Sequence, residues 1–212
     1  SERRLQLIGA SDFQGFCVDG TPQTSWADAA FPFGWRLSNC DWGVAGQLGR
    51  LVQAEVSVQA QSALGVTQNA AAAQRWQVGP HTMPQLMHRT LMSDEGEAWR
   101  PQQAPHAVLI SLGGNDYNHQ HGRVPSNASF GLAYAAMLDA LYASYAGLSP
   151  QPAVISVCGQ GSPAEASLDA DNSRCRRCAC PVVARPLVER PWRPGAPLRP
   201  PSRLGPSHCD PP

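Results

Sequence analysis

The stretch Ala107-Val-Leu-Ile-Ser-Leu-Gly-Gly-Asn-Asp116 is an apolar run that ends in a turn of small and polar residues. A second run of this kind, Leu5-Gln-Leu-Ile8, leads into Gly9-Ala-Ser-Asp12 near the start of the sequence. Short apolar runs bounded by turn residues are typical of buried strands. The sequence therefore predicts two strands, each followed by a turn that presents a reactive or hydrogen-bonding side chain.

Two further apolar runs predict strands, and amphipathic patterns between the runs predict helices. The strands are expected at residues 5–8, 54–59, 107–112 and 153–158. The helices are expected at residues 42–52, 83–92 and 129–145, and Ser126 or Asn127 is the N-cap of the last one. Strands that alternate with helices indicate an α/β protein with a parallel sheet and helices on both of its faces.

The apolar faces of two of these helices follow from their spacing. In the first predicted helix, Val44, Leu48 and Leu51 share one face. In the third, the apolar face is expected to consist of Leu132, Ala135, Ala136, Leu138, Leu141 and Tyr145.

In an open parallel sheet, the working residues lie on the loops at the carboxyl ends of the strands. Ser11, the loop 62–67, Asn115 and the loop 159–162 follow the four predicted strands in turn. The topology thus predicts one functional edge before any motif is considered.

Three residues at this edge suit acyl-ester chemistry. Ser11 is a candidate nucleophile, and a serine of this kind needs a base to take its proton and preorganised donors for the oxyanion. The backbone N–H groups of Ser11 and Gly65 and the side-chain amide of Asn115 are candidate oxyanion donors. Each also has a structural alternative, because a serine after a strand is commonly a cap and Gly-Gly-Asn-Asp is commonly a tight turn. Their shared position at strand ends favours the site.

These segments resemble the blocks of the SGNH hydrolases, also called GDSL esterases and lipases. The stretch 8–15 resembles the first block, 62–65 the second and 112–116 the third. The surrounding sequence is most similar to acetyl-xylan-type esterases of carbohydrate esterase family two, over about residues 4–172.

The resemblance implies a flavodoxin-like three-layer α/β/α sandwich. It also implies hydrolysis of acetyl or other short acyl esters on carbohydrates through an acyl-Ser11 intermediate. No metal or other cofactor is implied, a secreted or extracellular location is favoured, and a separate β-sandwich domain often lies upstream.

The sequence departs from the family pattern in two places. Ala10 and Phe13 stand where the first block commonly has Asp and Thr. The last block, usually Asp-x-x-His after a fifth strand, is not found beyond Asp171, so the catalytic base is not identified. The domain at 1–172 is therefore expected to lack its last strand and helix, and an inactive carbohydrate-binding, vestigial or truncated module is the alternative function.

The six histidines offer no clear base. Asp116-Tyr-Asn-His119 has the right spelling but follows Asn115 directly, and His121 lies in the same loop, so solvated side chains are expected there. His208 stands alone near the end of the sequence. The other three, His81, His88 and His106, are expected on loops or helix surfaces.

Aromatic residues are concentrated between the first strand and the first helix. Trp26, Trp35 and Trp42, with Phe31 and Phe33, either stack on sugar rings or form a hydrophobic cover over the edge of the sheet. A glycosylation sequon lies at Asn127-Ala-Ser129, and it has meaning only in a secreted protein.

The last forty residues differ from the rest. Residues 1–172 hold eight arginines and fourteen acidic residues, whereas residues 173–212 hold eight arginines, two acidic residues and ten of the twenty prolines. This composition predicts a disordered tail, and with no Phe or Tyr it does not favour a nucleic-acid partner. No run approaches the roughly 18 apolar residues that a membrane span requires.

Seven cysteines are present, so they cannot all pair within the chain. Cys17 and Cys40 are able to form a bridge in an oxidising compartment. The spacing of three cysteines, Cys175, Cys178 and Cys180, resembles that of a zinc knuckle. A structural zinc site needs a fourth ligand, normally from a second paired cluster, and only His208 and Cys209 remain downstream. We therefore expect no metal.

Overall fold

Four parallel strands form the sheet in the computed structural model, which describes residues 3–16, 18–20, 36–70, 80–89, 92, 98–117 and 124–158. The strands are β1 (Arg3–Gly9), β2 (Ala54–Ala60), β3 (Ala107–Leu112) and β4 (Ala153–Cys158). They lie in the order β2-β1-β3-β4. All four predicted strands and the parallel arrangement are confirmed.

The register aligns the carboxyl ends of three strands. Gly9, the last residue of β1, pairs with Ala60 of β2 on one side and with Ser111 of β3 on the other. The loops that follow these strands therefore begin at the same edge of the sheet, which we call the carboxyl edge.

Helices cover both faces of the sheet. The short helix α1 (Ser11–Gln14) and helix α2 (Val44–Val52) pack on one face, where Leu7, Phe13 and Ala45 form a buried cluster. The other face carries the larger core and helix α4 (Asn127–Ser144). Successive residues of a strand point to opposite faces, so Leu7 and its neighbour Ile8 enter different clusters. The α/β sandwich is confirmed in these described layers.

The prediction of a helix at residues 83–92 was wrong in length. Helix α3 spans only Met83–Leu86, and Arg89 forms an antiparallel bridge with Ala98. The backbone N–H of Trp99 donates to the carbonyl of His88 at 2.6 Å. That carbonyl would have to accept from residue 92 in a longer α-helix, so the bridge ends the helix.

The predicted apolar face of α2 was wrong at two of its three positions, since only Leu48 packs against the cluster of Leu7, Phe13 and Ala45. Val44 is 51 % exposed and Leu51 is 80 % exposed, whereas Ala45 and Gly49 are buried. A Cβ at Gly49 would lie 2.7 Å from a side-chain carbon of Val56. The small residues of α2 therefore face the sheet, because only they let the helix approach strand β2 closely.

Helix α4 buries a face that overlaps the predicted one only in part. Leu132 is 75 % exposed, while Leu141 and Tyr145 are buried as expected. The buried positions are Phe130, Tyr134, Met137, Leu141 and Tyr145. Of the two candidate N-caps, Ser126 is the cap, and its side chain accepts from the N–H of Ser129 at 3.1 Å.

Candidate active site

Ser11 is the first residue of α1, directly after β1. Its side chain is half-buried, and its hydroxyl has no hydrogen-bond partner among the described residues. As the first residue of a helical turn, its backbone N–H lacks a partner within that helix. Within the described ranges, both groups are therefore open to a ligand at the carboxyl edge.

Asp12 connects the Ser11 turn to strand β3. Its carboxylate accepts from the N–H groups of Ala10 at 3.2 Å and Phe13 at 2.9 Å, and it also accepts from the hydroxyl of Ser111. Asp12 has no role that was predicted from the sequence. The sequence did carry a signal for these contacts, because an aspartate in a turn commonly accepts hydrogen bonds from the backbone of that turn.

The loop after β2 is joined to α1 by Gln14. The side-chain oxygen of Gln14 accepts from the backbone N–H of Ser62 at 2.5 Å and from its hydroxyl at 2.6 Å. Ser62 is fully buried. The Gln14 contact therefore ties the loop of the candidate oxyanion donor to the helix that carries the candidate nucleophile.

Gly65 lies at the centre of this loop. A Cβ there would be 2.0 Å from the Gln68 carbonyl oxygen and 2.6 Å from a carboxylate oxygen of Asp116, so only glycine fits. Its N–H donates to the side-chain oxygen of Asn69 at 3.1 Å. An oxyanion that used the Gly65 N–H would have to take the place of that Asn69 oxygen.

Asn115 follows β3 and faces the same loop. Its side-chain amide donates to the carbonyl of Leu64 at 2.8 Å. The amide nitrogen carries two hydrogens, so one remains for a ligand. The side chain is half-buried, and it joins the loop after β3 to the loop after β2.

Asp116 was read from the sequence only as part of a turn. Its side chain is fully buried, and its carboxylate accepts hydrogen bonds from residues 66–68. The acidic residue itself was visible in the sequence, but its partners are about fifty positions away, so no local pattern revealed them.

The three described histidines differ in their surroundings. His106 precedes β3, and its Nδ1 accepts from the N–H of Arg4 at 3.0 Å, at the opposite edge of the sheet. Burial lowers the pKa of His88. The carbonyl of His81 accepts from Asn69 at 2.8 Å. None of these three hydrogen-bonds to Ser11, and His119, His121 and His208 lie outside the described residues.

Trp42 stands at the rim of the carboxyl edge. Its backbone N–H donates to the side chain of Asn39, and the Asn39 N–H donates to the carbonyl of Gly15, which ends α1. The indole is 62 % exposed, with the guanidinium of Arg50 5.3 Å from the ring centre. Arg50 is in turn paired with Asp41 at 2.9 Å. Trp26 and Trp35 lie outside the described residues.

Within the described ranges, no group of three His, Cys, Asp or Glu side chains is arranged to hold a metal ion. Cys175, Cys178 and Cys180 lie outside those ranges, as does Cys17, the proposed partner of Cys40. Burial, with a smaller contribution from Asp41, raises the pKa of the Cys40 thiol. No described helix has the length and apolar character to cross a bilayer.

These features define an α/β sandwich with a parallel sheet and a polar carboxyl edge. The same fold is found in a family two carbohydrate esterase from Clostridium thermocellum in complex with cellohexaose, with a TM-score of 0.64 and 22 % identity over 84 % of this chain and 48 % of that one.

A family two carbohydrate esterase with a carbohydrate-binding domain, from Corynascus thermopiles (Myceliophthora fergusii), gives a TM-score of 0.63 and 22 % identity over 84 % of this chain and 52 % of that one. An acetyl xylan esterase from Butyrivibrio proteoclasticus gives a TM-score of 0.55 and 17 % identity, over 77 % of this chain and 49 % of that one. The chain thus spans about half the length of these structures.

No family model matches the sequence, and a search of curated proteins found no significant match. The predicted resemblance to family two carbohydrate esterases is confirmed at the level of the fold. The division into residues 1–172 and a tail at 173–212 stays a prediction.

Proposed function

We propose that this chain is a serine esterase of the SGNH type that hydrolyses acetyl or other short acyl esters on carbohydrates. The observation that carries the proposal is the linkage of three loops at the carboxyl edge. Gln14 joins the Ser11 helix to the loop of Gly65, and Asn115 joins that loop to the end of β3. A nucleophile and oxyanion donors are useful only when held in a common geometry.

In the proposed reaction, the Ser11 hydroxyl oxygen attacks the acyl carbon and its proton passes to a base. The tetrahedral oxyanion accepts from the N–H groups of Ser11 and Gly65 and from the amide of Asn115. The ester C–O bond then breaks, the sugar oxygen leaves with a proton, and water hydrolyses the acyl-Ser11 intermediate. The base is not identified, because no described histidine hydrogen-bonds to Ser11 and His119 and His121 lie outside the described residues.

The carbohydrate part of the proposal draws on the fold and on Trp42. A solved structure with this fold is a complex with cellohexaose. The exposed indole of Trp42, at the rim of the same edge, offers an apolar face of the kind on which a sugar ring stacks. We therefore expect an oligosaccharide to approach the site across Trp42.

The test compares release of acetate from acetylated xylan, and of p-nitrophenol from p-nitrophenyl acetate, by the wild-type chain and by Ser11→Ala. We expect a loss of about 10⁴-fold, since removing the serine disables the catalytic unit as a whole. Ser57→Ala is the matched control, because Ser57 is exposed on β2. Equal rates for Ser11→Ala and the wild type would remove Ser11 as the nucleophile.

A second candidate function is carbohydrate binding without turnover. It is favoured by one observation: the exposed indole of Trp42 at the rim of the carboxyl edge offers a surface for a sugar ring that does not involve the Ser11 hydroxyl. In that case the wild type binds acetylated xylan saturably, releases no acetate, and binds equally well as Ser11→Ala. Acetate release that depends on Ser11 would exclude this candidate.

A further inference from the structure

Among the described residues with buried side chains, Asp116 alone carries a charge. The ion pair recorded in these parts of the chain joins Arg50 to Asp41 and does not reach Asp116. Burying a carboxylate is costly unless hydrogen bonds replace its water. The donors that replace the water therefore indicate what the carboxylate is for.

The donors come from three consecutive residues of the loop after β2. One carboxylate oxygen accepts from the Thr67 N–H and the Thr67 hydroxyl, both at 2.6 Å, and from the Gln68 N–H at 3.2 Å. The other accepts from the Val66 N–H at 2.9 Å. In return, the side chain of Gln68 donates to the Asp116 carbonyl at 2.7 Å. Backbone N–H groups that converge in this way stabilise an anion without a cation.

This arrangement clamps the segment that contains Gly65. The carboxylate lies 2.6 Å from the place that a Cβ of Gly65 would occupy, so it packs directly on the glycine. On the other side of Gly65, the adjacent Asn115 holds the carbonyl of Leu64. The two neighbouring side chains thus hydrogen-bond to both ends of the segment 64–68.

We propose that Asp116 is a positioning residue of the esterase site, whose buried carboxylate holds residues 64–68 so that Gly65 and Asn115 present their donors to the same oxyanion. The inference rests on the proposed function. Asp116 makes no hydrogen bond to Ser11, so it acts through the loop and not on the substrate.

Two pairs of substitutions separate the contacts. Asp116→Ala removes every acceptor and leaves three backbone N–H groups without one. Asp116→Asn keeps one oxygen for Thr67 but turns an N–H group toward Val66. Thr67→Val removes one donor to the carboxylate, and Thr67→Ser, its matched control, keeps the hydroxyl.

The experiment measures three properties of the full chain: amide hydrogen exchange at residues 65–68 and in β1, affinity for phenylboronic acid, and affinity for a xylo-oligosaccharide. Phenylboronic acid forms a bond between boron and the Ser11 oxygen, the serine proton goes to solvent, and the adduct resembles the oxyanion. The oligosaccharide reports on sugar binding that does not use the oxyanion donors.

We expect Asp116→Ala to accelerate exchange at residues 66–68 by about 100-fold while β1 stays protected, since local opening reports on the loop alone. Boronic acid affinity falls by a similar factor and oligosaccharide affinity is unchanged. Asp116→Asn and Thr67→Val give intermediate losses, and Thr67→Ser behaves as the wild type.

Unchanged exchange and boronic acid affinity in Asp116→Ala would overturn the inference, as would equal losses for both ligands. If Asp116→Ala does not fold, the difference between Thr67→Val and Thr67→Ser decides in the same way. Boronic acid binding that survives Ser11→Ala would contradict the proposed function instead, and exchange at residues 66–68 would still report whether Asp116 holds the loop.

Discussion

Two buried hydrogen-bond networks in this molecule differ in the groups that they connect. In the interior, the Tyr145 hydroxyl donates to the side-chain oxygen of Gln6, and the Gln6 amide donates to Gln59 at 2.7 Å. At the carboxyl edge, Asp116 accepts mainly from backbone N–H groups. The interior network joins side chain to side chain across β1, β2 and the end of α4, so it supports the sheet. The edge network joins side chain to backbone, so it sets the shape of a loop.

The comparison leads to a simple division of roles. Breaking the interior network is expected to lower stability and leave ligand binding unchanged. Changing residues at the edge is expected to alter ligand binding more than stability. Three substitutions test this division.

Tyr145→Phe removes the donor to Gln6, whose side chain is almost fully buried. We expect the free energy of unfolding in urea to fall by about 1–3 kcal/mol, because a buried acceptor loses its partner. Ester hydrolysis and boronic acid binding are expected to remain at the wild-type level. A loss of either without a loss of stability would contradict the division.

The same substitution changes the alkaline limb of stability. Burial raises the pKa of Tyr145 far above its ordinary value. The folded state therefore holds this proton more tightly than the unfolded state does. The contribution of the protonated Tyr145 hydroxyl to stability is complete below the unfolded pKa of about 10, and it is lost as pH rises further. The free energy of unfolding, measured in urea between pH 8 and 11, should fall less steeply with pH in Tyr145→Phe than in the wild type. Parallel curves for the two proteins would refute this.

Trp42→Ala acts at the rim of the edge. Because the indole is 62 % exposed, we expect the unfolding temperature to change little. Affinity for a xylo-oligosaccharide should fall by a factor of about five, which corresponds to roughly 1 kcal/mol of lost ring contact. Trp42→Phe keeps an aromatic face and should retain most of the affinity. Unchanged binding by the alanine variant would favour a purely structural Trp42.

Asn69→Ala addresses the Gly65 donor. In the structure the Asn69 oxygen occupies the Gly65 N–H, so its removal leaves that N–H open to an oxyanion. We expect phenylboronic acid to bind about five times more tightly, the scale of one neutral hydrogen bond. Asn69→Asp keeps an acceptor oxygen for the Gly65 N–H and adds a negative charge, so it should bind no more tightly than the wild type. Equal or weaker binding by the alanine variant would show that Gly65 does not serve the oxyanion.

The sequence predicted the sheet well and the helices less well. The strands were correct because short apolar runs bounded by turn residues are a local pattern that the sequence shows directly. The helix expected at 83–92 was too long because the chain after Leu86 turns into a bridge between Arg89 and Ala98. The face of α2 was misread because Gly49 permits a close approach to β2 that hydrophobic spacing does not reveal.

The candidate site divides in the same way. Ser11, Gly65 and Asn115 were proposed from the sequence because each follows a predicted strand, and the carboxyl ends of parallel strands meet at one edge. Gln14 and Asp116 were missed, although they hold these loops together. Their partners are 48 to 50 positions away, beyond the reach of any local pattern.

The four strands, their parallel direction and the shared edge at which their loops begin follow from the sequence, since apolar runs and strand-end turns are local properties of the chain. Three features come from the folded chain instead: Gly65 donates to Asn69, Ser11 has no hydrogen bond to a described histidine, and Asp116 is buried against the loop. Such contacts depend on which distant groups come together to satisfy buried donors and acceptors, and that follows from packing and not from spacing.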